Sequence, residues 1–360
     1  MEHKTRIKGN VHYVGVNDRN KHRFEGMWPL PYGVSYNSYL IDDEMVALVD
    51  TVDICYFEVY LRKIKQVIGE RPINYLIINH MEPDHSGSIR LIKQHYPEII
   101  IVGNKQTFGM IEGFYGVTGE QYLVKEGDFL ALGHHKLRFY MTPMVHWPET
   151  MMTFDETDGV LFSGDGFGCF GTVDGGFLDT RINVDKYWGE MVRYYSNIVG
   201  KYGSPVQKAL QKLGGLPISA ICSTHGPVWT ENIAKVIGIY DRLSRYDADE
   251  GVVIAYGSMY GNTEQMAEAI AEELSAQGVK NIVMHNVTKS HPSYIIADIF
   301  RYKGLIIGSP TYSNQIFPEV EALLSKILLR EVKGRYLGYF GSFAWAGAAV
   351  KRLAGFAFAC

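Results

Sequence analysis

Four apolar runs in the first two-thirds of the chain each end on side chains able to bind a metal ion. "YLIIN" (75–79) runs into His80, Glu82, Asp84 and His85; "KLRFYMT" (136–142) leads to His146, "VLFSG" (160–164) to Asp165, and "ISAIC" (218–222) to His225. Short apolar runs bounded by turn residues are buried strands. Side chains delivered just past the carboxyl ends of neighbouring strands face one crevice, so the fold must bring four separate strand ends together. Each residue also has a plain structural reading. A histidine after a strand can be a hydrogen-bonded core residue, Asp165 in "SGDG" a turn aspartate, and Asp84 or Ser86 a helix N-cap. The recurrence at four strand ends is what favours ligands. Of the 12 histidines, His134 and His135 in a polar loop take the structural reading, as do His3, His12, His22, His95, His285 and His291.

The donor types narrow the metal. Neutral imidazoles suit zinc, whereas carboxylate oxygens suit harder, redox-active iron or manganese. Glu82, Asp84 and Asp165 bring three negative charges, which a bridging hydroxide would raise to the charge of two ferrous ions. Asp165 is the natural bridging carboxylate of such a pair, whose ions stand roughly 3.5–4 Å apart.

A charged stretch, "RYDADEG" (245–251), separates this region from one of different texture, which places a domain boundary near residue 250. Domains of 1–249 and 250–360 are expected. Beyond the boundary, strands and helices alternate: "VVIAY", "TEQMAEAIAEELSAQG", "NIVMHNV", "SYIIADIFRY", "GLIIG", "FPEVEALLSKILL" and "RYLGYFG". That alternation implies a doubly wound parallel sheet. The first strand leads into Ser258, Met259, Tyr260, Gly261, Asn262 and Thr263 at a helix N-terminus, an anion site without the lysine of a triphosphate-binding loop. Two more loops, "SPTYSNQIFP" (309–318) with Pro310, Thr311, Tyr312 and Asn314, and "GSFAWAG" (341–347) with Ser342, Phe343, Trp345 and Gly347, meet it at the carboxyl edge of the sheet. Tyr312 and Trp345 offer aromatic faces for a planar ligand.

The first region resembles the metallo-β-lactamase fold, an αββα sandwich, with Glu82 standing where that fold's usual motif has a second histidine. Taken together, "HMEPDHSGS", "HWPETM", "SGDGFG" and "THGPVW" resemble the flavodiiron proteins over nearly the whole chain, including "SYNSYLIDDEMVALVDT" (35–51). Carried over position by position, the resemblance gives one iron to His80, Glu82 and His146 and the other to Asp84 and His225, with Asp165 bridging. His85 is the variable ligand: in some members it binds the second iron and in others it turns away. No catalytic residue is implied beyond these ligands, and Trp147 with Tyr194 or Tyr195 is placed around them. The three loops of the second region resemble those by which flavodoxin holds FMN. The expected sheet is flavodoxin-like but without its last strand and helix, leaving a bare edge and a weakened hold on flavin.

The resemblance implies an oxidoreductase that reduces O2 to water and/or NO to N2O at two iron ions, with electrons relayed through FMN from a rubredoxin-like donor. A domain of about 250 residues has a radius of gyration near ~18 Å. A flavin at the far edge of its own domain would therefore be served best by a head-to-tail homodimer, or a dimer of dimers, in which each flavin meets the partner's irons. Two rivals stay open: a zinc hydrolase of the β-lactamase superfamily with a flavodoxin-like appendage, and a flavin electron carrier on an inert scaffold. Composition fits a cytoplasmic protein that binds neither nucleic acid nor membrane. The formal charge is −4, and Cys55, Cys169, Cys222 and Cys360 form no C-x-x-C pair. The longest apolar stretch, "YLGYFGSFAWAGAAV", falls short of a membrane span and reads as a buried strand followed by a loop.

Overall fold

The computed structural model describes residues 5–357, so Cys360 lies outside the described part. The chain gathers into two compact units: Met1–Met191 with Ser204–Asp241, and Val192–Gly203 with Arg242–Cys360. The segment 192–203, which the sequence reading counts with the first domain, thus groups with the second.

The first unit is a sandwich of two sheets. One has seven strands in the order Arg6–Lys8, Val11–Tyr13, Tyr39–Ile41, Ala47–Val49, Tyr75–Ile77, Ile100–Gly103, Gln121–Leu123. Its early pairings are antiparallel, and those from Ala47–Val49 onward are parallel. The other runs Phe129–Ala131, Lys136–Met141, Met151–Asp155, Val160–Gly164, Ala220–Ser223, antiparallel except for its last pair. One core lies between them, with Val49, Ile77 and Val102 from the first sheet packed among Phe139, Met151, Phe162 and Cys222 from the second. Helix Phe57–Ile68 buries Phe57, Tyr60, Leu61, Ile64 and Ile68, an apolar stripe at helical spacing. The strands Met151–Asp155 and Val160–Gly164 are buried at every position, as expected of strands covered on both faces.

The second unit carries four parallel strands in the order Ile282–Asn286, Asp249–Tyr256, Tyr302–Tyr312, Tyr336–Ser342. In chain order this is 2-1-3-4, the beginning of the flavodoxin-like order. Helix Asn262–Ala276 packs Ala267, Ile270 and Leu274 against Ile254, Ile282 and Ile306. Two local expectations are corrected here. The stretch 309–318 is not a loop: Tyr302–Tyr312 continues into a hairpin with Gln315–Ile316, turned by Ser313 and Asn314, both at left-handed φ (46° and 58°). The strand Tyr336–Ser342 is not buried, because it pairs only with Tyr302–Tyr312 among the described residues, and Tyr336 is 79% exposed. Helix Asp185–Tyr194 runs on into a wider π turn, Tyr195–Val199. In that turn Asn197 Nδ2 donates to Arg193 O at 2.8 Å and to Ser293 O at 3.0 Å, so a side chain supplies what the displaced backbone does not.

Candidate metal centre

The cluster 80–85 is built on a single turn of helix. Pro83 occupies its first position, where the missing N–H costs nothing, so Asp84 and His85 project from a pre-set turn, Pro83–Ser86. Buried hydrogen bonds hold the approach. Asp50 accepts from Asn79 N (2.8 Å) and Asn79 Nδ2 (3.0 Å), while Thr51 N and Oγ1 both donate to His85 O. Asp165 follows Gly164, which takes a left-handed φ of 55°. His225 precedes Gly226, at φ 81°, where a Cβ would overlap Cys169 Sγ. Asn37 pins that loop by donating to Ser223 O at 2.9 Å and Gly226 O at 2.8 Å.

All seven expected ligands are buried and converge. His146 Nε2 lies 2.9 Å from Asp165 Oδ2, 3.2 Å from Glu82 Oε2 and 3.3 Å from His80 Nε2. His85 Nε2 lies 3.1 Å from Asp165 Oδ1 and 3.5 Å from Asp84 Oδ1, and His225 Nε2 lies 3.3 Å from Asp84 Oδ2. Asp165 therefore turns one oxygen to each half of the set, with Oδ1 also accepting from Thr224 Oγ1. His85 faces inward rather than turning away. Trp147 stands edge-on to His80, with ring centroids 5.2 Å apart. Tyr195 is grouped with the second unit, where its ring meets Phe300. A cavity of about 540 Å³, bordered by Phe24, Arg90, Phe114 and Tyr115, opens onto Glu82 and Asp84.

The donor set fits two metal ions. Both Asp84 oxygens and both His85 nitrogens are buried without a hydrogen bond, and no lysine or arginine among the described residues pairs with Glu82, Asp84 or Asp165. Three carboxylates buried away from lysine and arginine call for compensation, which protonated histidines or bound metal can supply. Burial alone would raise Glu82 and Asp165, but His146 and His80 hold Glu82 at about 2, and His85 with His146 holds Asp165 well below the carboxylate range.

Burial alone would lower the histidines. The bond to Glu149, with Glu82 and Asp165, instead holds His80 at about 9; Asp84 and Asp165 hold His85 at about 9; and Asp165 with Glu82 holds His146 at about 10. These values lie above the usual ~6.5. Their contribution to stability is therefore complete below the unfolded value and lost as pH rises through about 9 to 10. Metal must displace those protons. Ferrous ion added to metal-free protein in weak buffer near pH ~8 is expected to release protons, and its affinity to rise with pH up to that window. A pH-independent affinity with no proton release would contradict this charge balance.

Sequence reasoning passed over Glu149, although "HWPETM" contains it. Fully buried, Glu149 accepts from His80 Nδ1 at 2.7 Å and from Met81 N at 2.9 Å. Ser35 O was also passed over; it takes His225 Nδ1 at 2.8 Å.

The second-unit residues fall around the carboxyl edge of the parallel sheet. Gly261, at φ 90°, precedes helix Asn262–Ala276, and Thr263 Oγ1 lies 2.8 Å from Ser342 Oγ, tying the first loop to the last. Thr311 Oγ1 accepts from Ala349 N at 3.2 Å. Tyr260 and Trp345 are 90% and 86% exposed, and Met259, Tyr312 and Phe343 are exposed as well. A helix N-terminus flanked by hydroxyls and open aromatic faces fits a phosphate-bearing planar group.

Residues 34–226 match the family model described as ODP family beta lactamase, and residues 254–358 match that of flavodoxin. The anaerobic nitric oxide reductase flavorubredoxin of Vibrio vulnificus is 33% identical over 353 residues, covering 96% of this chain and 71% of that protein. Among solved structures, rubredoxin oxygen:oxidoreductase from Desulfovibrio gigas superposes with a TM-score of 0.93 at 31% identity, covering 97% of this chain and 88% of that one. The flavodiiron protein from Giardia intestinalis gives 0.93 at 28% identity, covering 97% and 85%. The chain belongs to the flavodiiron proteins. It is an oxidoreductase of that family, pairing a metallo-β-lactamase-like unit with a flavodoxin-like one. Among its described residues no helix is long and apolar enough to cross a membrane.

Proposed function

We propose that this flavodiiron protein reduces a diatomic gas, nitric oxide to nitrous oxide or dioxygen to water, with iron at the metal centre and FMN in the second unit. The observation that carries this reading is the carboxylate-rich donor set. Glu82, Asp84 and Asp165 are buried together with four imidazoles, a combination that favours iron over zinc. When bound, two iron ions would hold the gas side by side and change oxidation state, with FMN as the supply of electrons. His80, Glu82 and His146 would hold one ion, Asp84, His85 and His225 the other, and Asp165 would join them. The chain's own part is to fix these atoms before the substrate arrives. Glu149 and the Ser35 carbonyl each take one ring nitrogen of a histidine and so turn the other toward the centre. Trp147 and Phe24 border His80 and His225 with apolar surface. In the second unit, the N–H groups opening helix Asn262–Ala276, with Ser258 and Thr263, would take the flavin phosphate, and Tyr312 and Trp345 would face the ring.

An external rubredoxin-like donor, a head-to-tail pair of chains and a cytoplasmic setting complete the reading. The curated relative named above is a nitric oxide reductase and the solved one an oxygen reductase. The deciding experiment is therefore anaerobic consumption of each gas by the purified chain with a chemically reduced donor, alongside metal analysis by mass spectrometry and the visible spectrum. Two irons and a flavin band with turnover of either gas are expected. Zinc in place of iron, with neither gas consumed, would return the hydrolase reading.

A further inference from the structure

The two halves of the metal centre are backed by different chemistry. Apart from the shared Asp165, each half holds one carboxylate, Glu82 beside His80 and His146, Asp84 beside His85 and His225. In first-ligand charge the halves are therefore balanced. In the outer groups that hydrogen-bond to the ring nitrogens of His80 and His225 they are not. His80 gives its Nδ1 to a buried carboxylate, Glu149 Oε1, at 2.7 Å, whereas His225 gives its Nδ1 to a neutral backbone carbonyl, Ser35 O, at 2.8 Å. Among the described residues Glu149 forms no ion pair with lysine or arginine, and its Oε2 is buried without a hydrogen bond. Its charge is thus directed into His80.

A carboxylate behind an imidazole makes that ring a more electron-rich donor, and outer partners of this kind tune the metal they never touch. Extra negative charge close to one ion stabilises that ion's higher oxidation state.

We infer that Glu149 is a positioning residue that makes the two iron positions electronically unequal, so that the iron held by His80 keeps its ferric state longer and the iron held by His225 is reduced first. This rests on the di-iron reading above. One electron then resides at a defined position, beside Asp84 and the cavity mouth, before the second arrives.

The test is a redox titration of the full-length, iron-loaded protein, followed by the paramagnetic resonance signal of the half-reduced iron pair, with iron content and thermal melting measured alongside. Glu149→Gln preserves side-chain size and leaves Oε1 able to accept from both His80 and Met81, while removing the charge. Two separated one-electron steps are expected in the parent. In Glu149→Gln the later step should move upward as ferric preference at that position falls about tenfold to a hundredfold, about 59 mV per tenfold, and the half-reduced signal should shrink. Glu149→Asp keeps the charge and should keep most of the separation.

An unchanged separation in Glu149→Gln overturns the inference, as does an equal collapse in Glu149→Asp. Should Glu149→Gln retain a single iron, adding His225→Ala must remove it; an iron surviving in the double variant would place the loss on the wrong side. A parent protein without an iron pair fails differently, in the metal analysis, and that failure belongs to the underlying reading.

Discussion

Asp165→Ala is expected to yield a folded protein that binds fewer than two irons per chain and consumes gas about 10²–10⁴ times more slowly. The range follows from the several kcal/mol a metal pair supplies to a developing charge, at tenfold per ~1.4 kcal/mol. Asp165 carries this effect because of its place. Its Oδ2 lies 2.9 Å from His146 and its Oδ1 3.1 Å from His85, so deletion removes a donor from each half together with the carboxylate common to both. The two-sheet core does not depend on it, since the strand Val160–Gly164 is packed through Val160 and Phe162. Iron content by mass spectrometry, gas consumption with a reduced donor and the melting curve separate the possibilities. Two irons and turnover within tenfold of the parent would remove Asp165 from the bridging role.

Asp179→Ala is expected to destabilise the first unit by about 3–5 kcal/mol, enough to threaten folding altogether. The Asp179 carboxylate, itself buried, accepts from Thr230 N (2.9 Å) and Thr230 Oγ1 (2.7 Å), Glu231 N (3.1 Å), Asn232 N (2.9 Å) and Asn232 Nδ2 (3.0 Å). It anchors the entry to helix Ile233–Ser244 from outside that helix. Alanine would remove all of these bonds to one buried carboxylate at once. Burial alone would raise the Asp179 carboxyl, but the bonds from Thr230 and Asn232 outweigh it and its pKa is lowered. A carboxyl lowered in the folded state contributes stability above its unfolded value of ~3.9 and loses it as pH falls through the folded one. The difference in melting temperature between parent and variant should therefore narrow below pH ~4. A variant melting with the parent at neutral pH would refute this account.

The convergence of the expected ligands was legible because its signal is local: an apolar run, a turn, then a donor, repeated at four strand ends. The strands lie close to the expected positions, Tyr75–Ile77 and Val160–Gly164 among them, since their burial is written in consecutive apolar residues. The outer partners were not legible, because they join residues distant in sequence. Glu149 meets His80 across 69 positions and Ser35 meets His225 across 190. The one available clue was the glutamate three residues after His146 in "HWPETMMTF", in a site whose histidines need an acceptor. The hairpin within 309–318 escaped because Ser313 and Asn314 read as loop residues, whereas at left-handed φ they reverse a strand. The exposed face of Tyr336 escaped because hydrophobic character alone does not say whether a neighbour covers it.

The grouping of 192–203 with the second unit has a practical meaning for anyone dividing the gene. The polypeptide passes between its two units three times, after Met191, Gly203 and Asp241, so no single cut yields two self-sufficient fragments. An amino-terminal piece ending at Asp241 would carry off Tyr195 and Asn197, which pack on Phe300 and Ser293. Its carboxyl-terminal counterpart would be left with a gap where that plug had been. Co-expressing both pieces, or splicing 192–203 onto the flavodoxin-like half, is the route to an independent flavodoxin-like module.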